Sequence, residues 1–95
     1  MLLLITFKAR DSYTEAVGKR GLELFARWEQ PEGFRILHHY LRADGGGIAI
    51  VEAESAAAVL EFTMSFDFEH TYEVTPVVEA SEAVPVFRKI EEWRS

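Results

Sequence analysis

The segment that most limits this chain is its opening, Leu2-Leu3-Leu4-Ile5-Thr6-Phe7. Six residues with one hydroxyl and no charge suit a strand buried on both faces, and so central in its sheet. The whole chain is 95 residues, which sets the domain count at one, residues 1–95. At that size roughly 60–65% of the extended surface is buried on folding, so a lone subunit has a modest core.

The rest of the chain falls into alternating periods. Ser12-Tyr13-Thr14-Glu15 reads as a capping box, with Ser12 accepting from the backbone and Glu15 reaching back. Behind it Val17, Gly21, Leu24, Phe25 and Trp28 form one stripe of an amphipathic helix. Gly18 and Gly21 each cost about 1 kcal/mol against Ala in a helix, so they predict close approach to the sheet. Gln30-Pro31-Glu32-Gly33 ends that helix. Phe34 to Arg42 reads as a second strand, Ala43–Gly47 as a hairpin loop tolerant of positive φ, and Ile48 to Ala53 as a third strand. Ser55 caps a second helix with Val59, Leu60, Phe62, Thr63 and Phe66 on its apolar side. A fourth strand runs from His70 to Val78, at an edge because of Pro76. Ser81 and Pro85 open a last helix over about 81–94.

The order is β-α-β-β-α-β with a terminal helix, the ferredoxin-like α+β plan on a core of residues 1–78. Right-handed crossovers place both main helices on one face of a four-stranded antiparallel sheet. The opposite face is too rich in Leu, Ile, Val, Phe and Tyr to stay wet, which predicts a homodimer.

The opening MLLLITFK, the stretch Val51-Glu52-Ala53-Glu54-Ser55 entering the second helix, and the closing Tyr72-Glu73-Val74-Thr75-Pro76-Val77-Val78 resemble the dimeric α/β-barrel superfamily. Within it, the chain looks most like a family of short bacterial proteins of unknown function. The resemblance covers most of the chain in pattern and length. It implies a homodimer whose sheets face each other. Relatives include cofactor-independent quinone-forming monooxygenases, haem-degrading monooxygenases, lactone isomerases and polyketide-type cyclases. None of their catalytic residues carries over, because no motif matches residue by residue. The terminal helix is an addition to the pattern.

Candidate chemistry starts with the three histidines. With a five-residue loop at Ala43–Gly47, His38 stands opposite Glu52 and Tyr40 opposite Ile50. An imidazole, a carboxylate and a phenol then share one sheet face. A carboxylate beside His raises its pKa and fixes its tautomer, the preparation for general base work. In that reading His38 is the base, Glu52 orients it, and Tyr40 donates to an oxyanion. The plainer reading is a cross-strand pair worth about 0.2–1 kcal/mol, and a slip of one residue would part the two. His39 lies on the other face with Leu37, Leu41, Ala49 and Val51, where small alanines leave room for helix side chains or a ligand. His70 and Tyr72 share a face at the start of the last strand. Glu73 lies opposite them and reads as a solvated edge residue. Helical spacing makes most of Phe25, Trp28, Phe62, Phe66 and Phe68 core. Trp28 and Phe66 join His39, His70 and Tyr72 as candidate ligand contacts.

Several chemistries lack support. The chain has no cysteine, hence no disulfide, thiolate metal site or thiol nucleophile. No phosphate-loop, dinucleotide or nucleophile-elbow motif is present. No resident metal or cofactor is implied; haem ligation rests on histidine alone. The net charge of −6 opposes nucleic acid and anionic membrane as partners. Residues 46–95 carry three Lys/Arg against ten Asp/Glu, a balance that mostly serves solubility. The apolar start is shorter than a membrane span and its cations follow it, so a cytoplasmic location is expected. Two functions remain: an enzyme acting on an apolar, oxygenated small molecule (a cofactor-independent monooxygenase, isomerase or cyclase), or a non-enzymatic ligand-binding or interaction module.

Overall fold

The computed structural model describes all 95 residues. Its elements are β1 (Leu2–Ala9), α1 (Glu15–Ala26), β2 (Phe34–Leu41), β3 (Gly47–Ala53), α2 (Ala56–Ser65), β4 (His70–Pro76) and α3 (Ala80–Arg94). The strands form one antiparallel sheet in the order β2-β3-β1-β4. The apolar β1 is central and the proline-bearing β4 is an edge. The fold is ferredoxin-like α+β.

Alternation along β1 separates the two faces. Leu3, Ile5 and Phe7 are buried beneath the helices, whereas Leu2, Leu4 and Thr6 are half-buried on the outer face. Ala49, Val51 and Ala53 continue the inner face on β3. α2 seals it with Ala58, Val59 and Phe62, which recur one and four residues apart on one side of the helix. Phe34 stacks on Phe62 with ring centroids 5.2 Å apart, and Trp28 meets Phe62 at 5.4 Å. Such pairs add about 0.5–1.5 kcal/mol beyond their area. α1 packs more loosely: Gly21 is its one buried residue, and Leu24 is partly buried against the core.

Local signals held at some ends and moved at others. Ser55 caps α2 as expected, its hydroxyl accepting from the Ala58 amide at 3.2 Å. Ser12 does not cap α1; Thr14 does, accepting from the Val17 amide at 3.2 Å. The reason lies upstream. The Tyr13 amide donates to the Arg10 carbonyl at 2.9 Å, so Ser12 belongs to a turn. Glu79, not Ser81, stands at the N-cap of α3, and no side chain caps it. β4 stops at Pro76, though the Val77 amide still donates to the Leu2 carbonyl at 3.1 Å.

The β2–β3 hairpin departs most from the expected register. The loop is Arg42–Gly46, one residue earlier than predicted, with Leu41 opposite Gly47. Gly45 and Gly46 take φ of 98° and 73°, the left-handed region open to glycine. A Cβ on Gly46 would stand 2.2 Å from the Phe7 carbonyl oxygen. Farther along, Ile36 pairs with Val51 but His38 pairs with Ile50, so Leu37 is an extra residue in a β-bulge.

α3 stands apart. None of its 15 residues is buried, and the molecule measures 59 × 30 × 18 Å with a radius of gyration of 16.7 Å. A compact chain of this length has a radius near about 12 Å. No helix is long and apolar enough to cross a membrane.

Candidate functional site

The hairpin register parts the triad expected on the outer face. His38 faces Ile50, Tyr40 faces Ile48, and Glu52 faces Arg35. The earlier loop moves His38 and Tyr40 two residues along β3, and the extra residue at Leu37 then sets Arg35 opposite Glu52. Glu52 instead accepts from the Met1 ammonium at 2.5 Å. His38 and Tyr40 remain together, rings stacked at 6.0 Å and Tyr40 Oη 3.4 Å from His38 Nδ1, but both are exposed. Nothing shelters this cluster from water within the chain.

The sheltered space lies on the inner face. A cleft of about 500 Å3 opens between α1, the inner sheet face and the hairpin loop. Phe7, Phe25, Phe62 and Phe66 give it apolar walls, and Leu22 and Leu41 flank it. Of the sequence candidates, His39, His70, Tyr72 and Phe66 line it. Trp28 does not; it packs against Phe25, Phe34, Phe62 and Phe66 and borders a separate shallow groove. The bulge matters here, because it turns His39 rather than His38 toward the helices, opposite Ala49. The Phe7 ring is edge-on to both imidazoles, 5.6 Å from His39 and 5.1 Å from His70.

Sequence reasoning passed over the most unusual group in the cleft, Glu69. It sits in the turn between α2 and β4 and is 8% exposed. Its Oε1 lies 3.0 Å from His70 Nδ1, while its Oε2 is buried without a partner. The glycine stripe of α1 makes room for it. A Cβ on Gly21 would fall 1.5 Å from Glu69 Oε2 and 2.4 Å from its carboxyl carbon. Likewise a Cβ on Gly18 would meet the Tyr13 hydroxyl at 2.1 Å. The two glycines admit these polar side chains rather than the sheet. Arg10 holds the turn in place: its backbone amide donates to the Glu69 carbonyl at 3.0 Å, and its Nε donates to the Asp67 carbonyl. The Glu69-His70 adjacency beside a Gly-x-x-Gly helix was the available signal, but only the fold shows that they meet.

Burial governs the charge of this site. It pushes the Glu69 carboxyl above its ordinary range and pushes His70 and His39 below theirs. Burial, then the charges of Glu69 and Asp67, drive the Tyr72 phenol far above its usual value, so it stays a hydrogen-bond donor. At 3.0 Å from His70 Nδ1, an ionised Glu69 carboxylate favours the tautomer with the proton on Nδ1, which leaves the Nε2 lone pair free to accept a proton. At the mouth, Arg42 is held by Asp44 at 2.6 Å. No three His, Asp or Glu side chains gather closely enough to hold a metal ion.

No curated protein and no solved structure is significantly similar to the chain. Residues 1–91 match a family described as a domain of unknown function, DUF3303. The chain with its Glu69–His70 cleft therefore belongs to the DUF3303 family.

Proposed function

We propose that the cleft binds an apolar small molecule bearing a carbonyl, and that the Glu69–His70 pair moves a proton on it. The observation that carries this reading is the buried carboxyl–imidazole contact, 3.0 Å long, in the wall of an aromatic cleft of about 500 Å3. That volume suits a drug-sized ligand, and a few convergent polar groups among apolar walls are how such sites orient one. The proton-transfer step needs no cofactor. His70 Nε2 takes a proton from the carbon α to the carbonyl, and the C–H electron pair becomes the enolate. Tyr72, kept protonated, donates to the enolate oxygen. The imidazolium then returns its proton to a different carbon of the conjugated anion, which completes an isomerisation. Proton transfer is favoured over oxygenation because the residues in hand are an acid–base pair.

The test is exchange of α-hydrogens for deuterium in a panel of cyclic and aryl ketones, followed by proton NMR. The expected result is exchange above buffer by the native chain and its loss in His70→Gln. Thermal stabilisation by a ketone with no exchange would favour the binding-module reading instead. Neither stabilisation nor exchange would remove the cleft as a ligand site.

A second copy completes this proposal. The outer sheet face presents Leu2, Leu4, Ile48 and Ile50, and no helix of the same chain covers it. A second copy related by a two-fold axis covers it. Sedimentation equilibrium checks the pairing.

A further inference from the structure

We infer that α3 is an exchanged arm: its apolar stripe docks on the outer sheet face of a second copy of this chain. The inference rests on the paired state proposed above and adds what holds the pair together.

α3 has few means of standing alone. Its N-cap makes no side-chain hydrogen bond, and Pro85 lies inside it, which removes one backbone bond. A helix of 15 residues is marginal in water even with good capping, and most helices in proteins are stabilised by burying an apolar face. Such a face exists. Ala83, Val86, Phe87, Ile90 and Trp93 recur at offsets of three, four, seven and ten along one side. Phe87 is 64% exposed and Trp93 81%. The chain that carries this stripe does not cover it, since no residue of the helix is buried.

The second copy is the occupant that fits for three reasons. The same chain has an uncovered surface of matching character, the outer face with Leu2, Leu4, Ile48 and Ile50. A two-fold exchange closes both surfaces of both chains and leaves none open to propagate. Charge permits it. α3 carries Glu82, Glu91 and Glu92 against Arg88, Lys89 and Arg94, so it is neutral in a chain of net charge −6. Pairing through it avoids bringing like net charges together. The area is sufficient as well. Two large aromatics of about 150–250 Å2 each, with Val86 and Ile90, put each arm on the order of 400 Å2. Two arms and the surfaces beneath them reach roughly the 1,600 Å2 of a standard stable interface.

The chain has no cysteine, so Ser95→Cys gives a single attachment point at the end of α3. Spin-labelled Ser95→Cys protein with nitrogen-14 is mixed with unlabelled nitrogen-15 protein, and only amides of the second chain are observed. The expected result is paramagnetic broadening at β1 and β3 of the nitrogen-15 chain. Sedimentation of Phe87→Glu/Trp93→Glu should show dimer dissociation weakened at least about 100-fold. A dimer with no broadening between chains and an unchanged dissociation constant would overturn the arm and leave the pairing itself standing. A monomer at high concentration would overturn both. The broadening experiment uses an otherwise native sequence, so a charge variant that fails to fold does not hide the answer.

Discussion

Replacing Gly21 by Ala sets two opposing effects against each other at the wall of the cleft. In an ordinary helix interior the change stabilises by about 1 kcal/mol, because Ala restricts the unfolded chain and Gly does not. Here the new methyl would sit 1.5 Å from Glu69 Oε2, far inside van der Waals contact, so the carboxyl must swing away. Overpacking of this kind costs about 1–3 kcal/mol. The displaced atom is the tip of a flexible side chain with an open cleft beside it, which favours the low end. Net destabilisation should therefore be roughly 0–2 kcal/mol, by itself a poor discriminator. The decisive quantity is the coupling with Glu69→Ala in a double-mutant cycle measured by urea unfolding. Without the carboxyl, Gly21→Ala should stabilise by its full helical value of about 1 kcal/mol. The cycle should thus return a coupling of about 1–3 kcal/mol. If Gly21→Ala stabilises equally with and without Glu69, the packing of that carboxyl against α1 is refuted.

The other predictions concern charge, the outer cluster and caps. Glu69 binds its proton more tightly folded than unfolded. Its contribution is thus present below the unfolded carboxyl range and lost as pH rises through the raised folded value. Glu69→Gln should gain on the native protein by up to about 1.4 kcal/mol per pH unit across that window, read from urea midpoints. His39 and His70 have the opposite sense. Native stability should also fall as pH drops below about 6.5, and His39→Gln should lessen that fall in the same titration. His38→Ala with Glu52→Gln should change ketone binding by less than about 0.5 kcal/mol in calorimetry, since surface substitutions away from a site act weakly. Ser55→Ala should cost about 0.5–2 kcal/mol in urea unfolding through the lost cap of α2.

The elements were legible in the sequence because each rests on local chemistry. The run Leu2–Phe7 announced a central strand, Pro76 an edge, and Ser55 a helix start. Element order then led to the ferredoxin-like plan. The site was legible only in part. Alternation put His39 on the face with Ala49 and Val51 and set His70 and Tyr72 on one common face, and helical spacing put Phe66 on the apolar side of its helix. The His38–Glu52 pairing failed on a count, since a loop that starts one residue early carries no composition signal. Glu69 was invisible for a different reason. Its burial depends on Gly21, distant in sequence, and on Arg10 gripping the turn. A turn carboxylate reads as solvated until the fold brings a glycine against it.

The bulge at Leu37 has a wider meaning for a chain that carries two adjacent imidazoles. Had the ladder kept the register of its first three pairs, His38 would stand opposite Ala49 and turn inward, and His39 would turn out to the bulk solvent. One inserted residue acts as a selector between neighbours of identical chemistry. Moving that irregularity along the hairpin would exchange which ring lines the cleft without changing any residue at either position. A doublet of this kind lets a lineage retune a cavity by sliding the backbone, a smaller evolutionary step than inventing a new functional group.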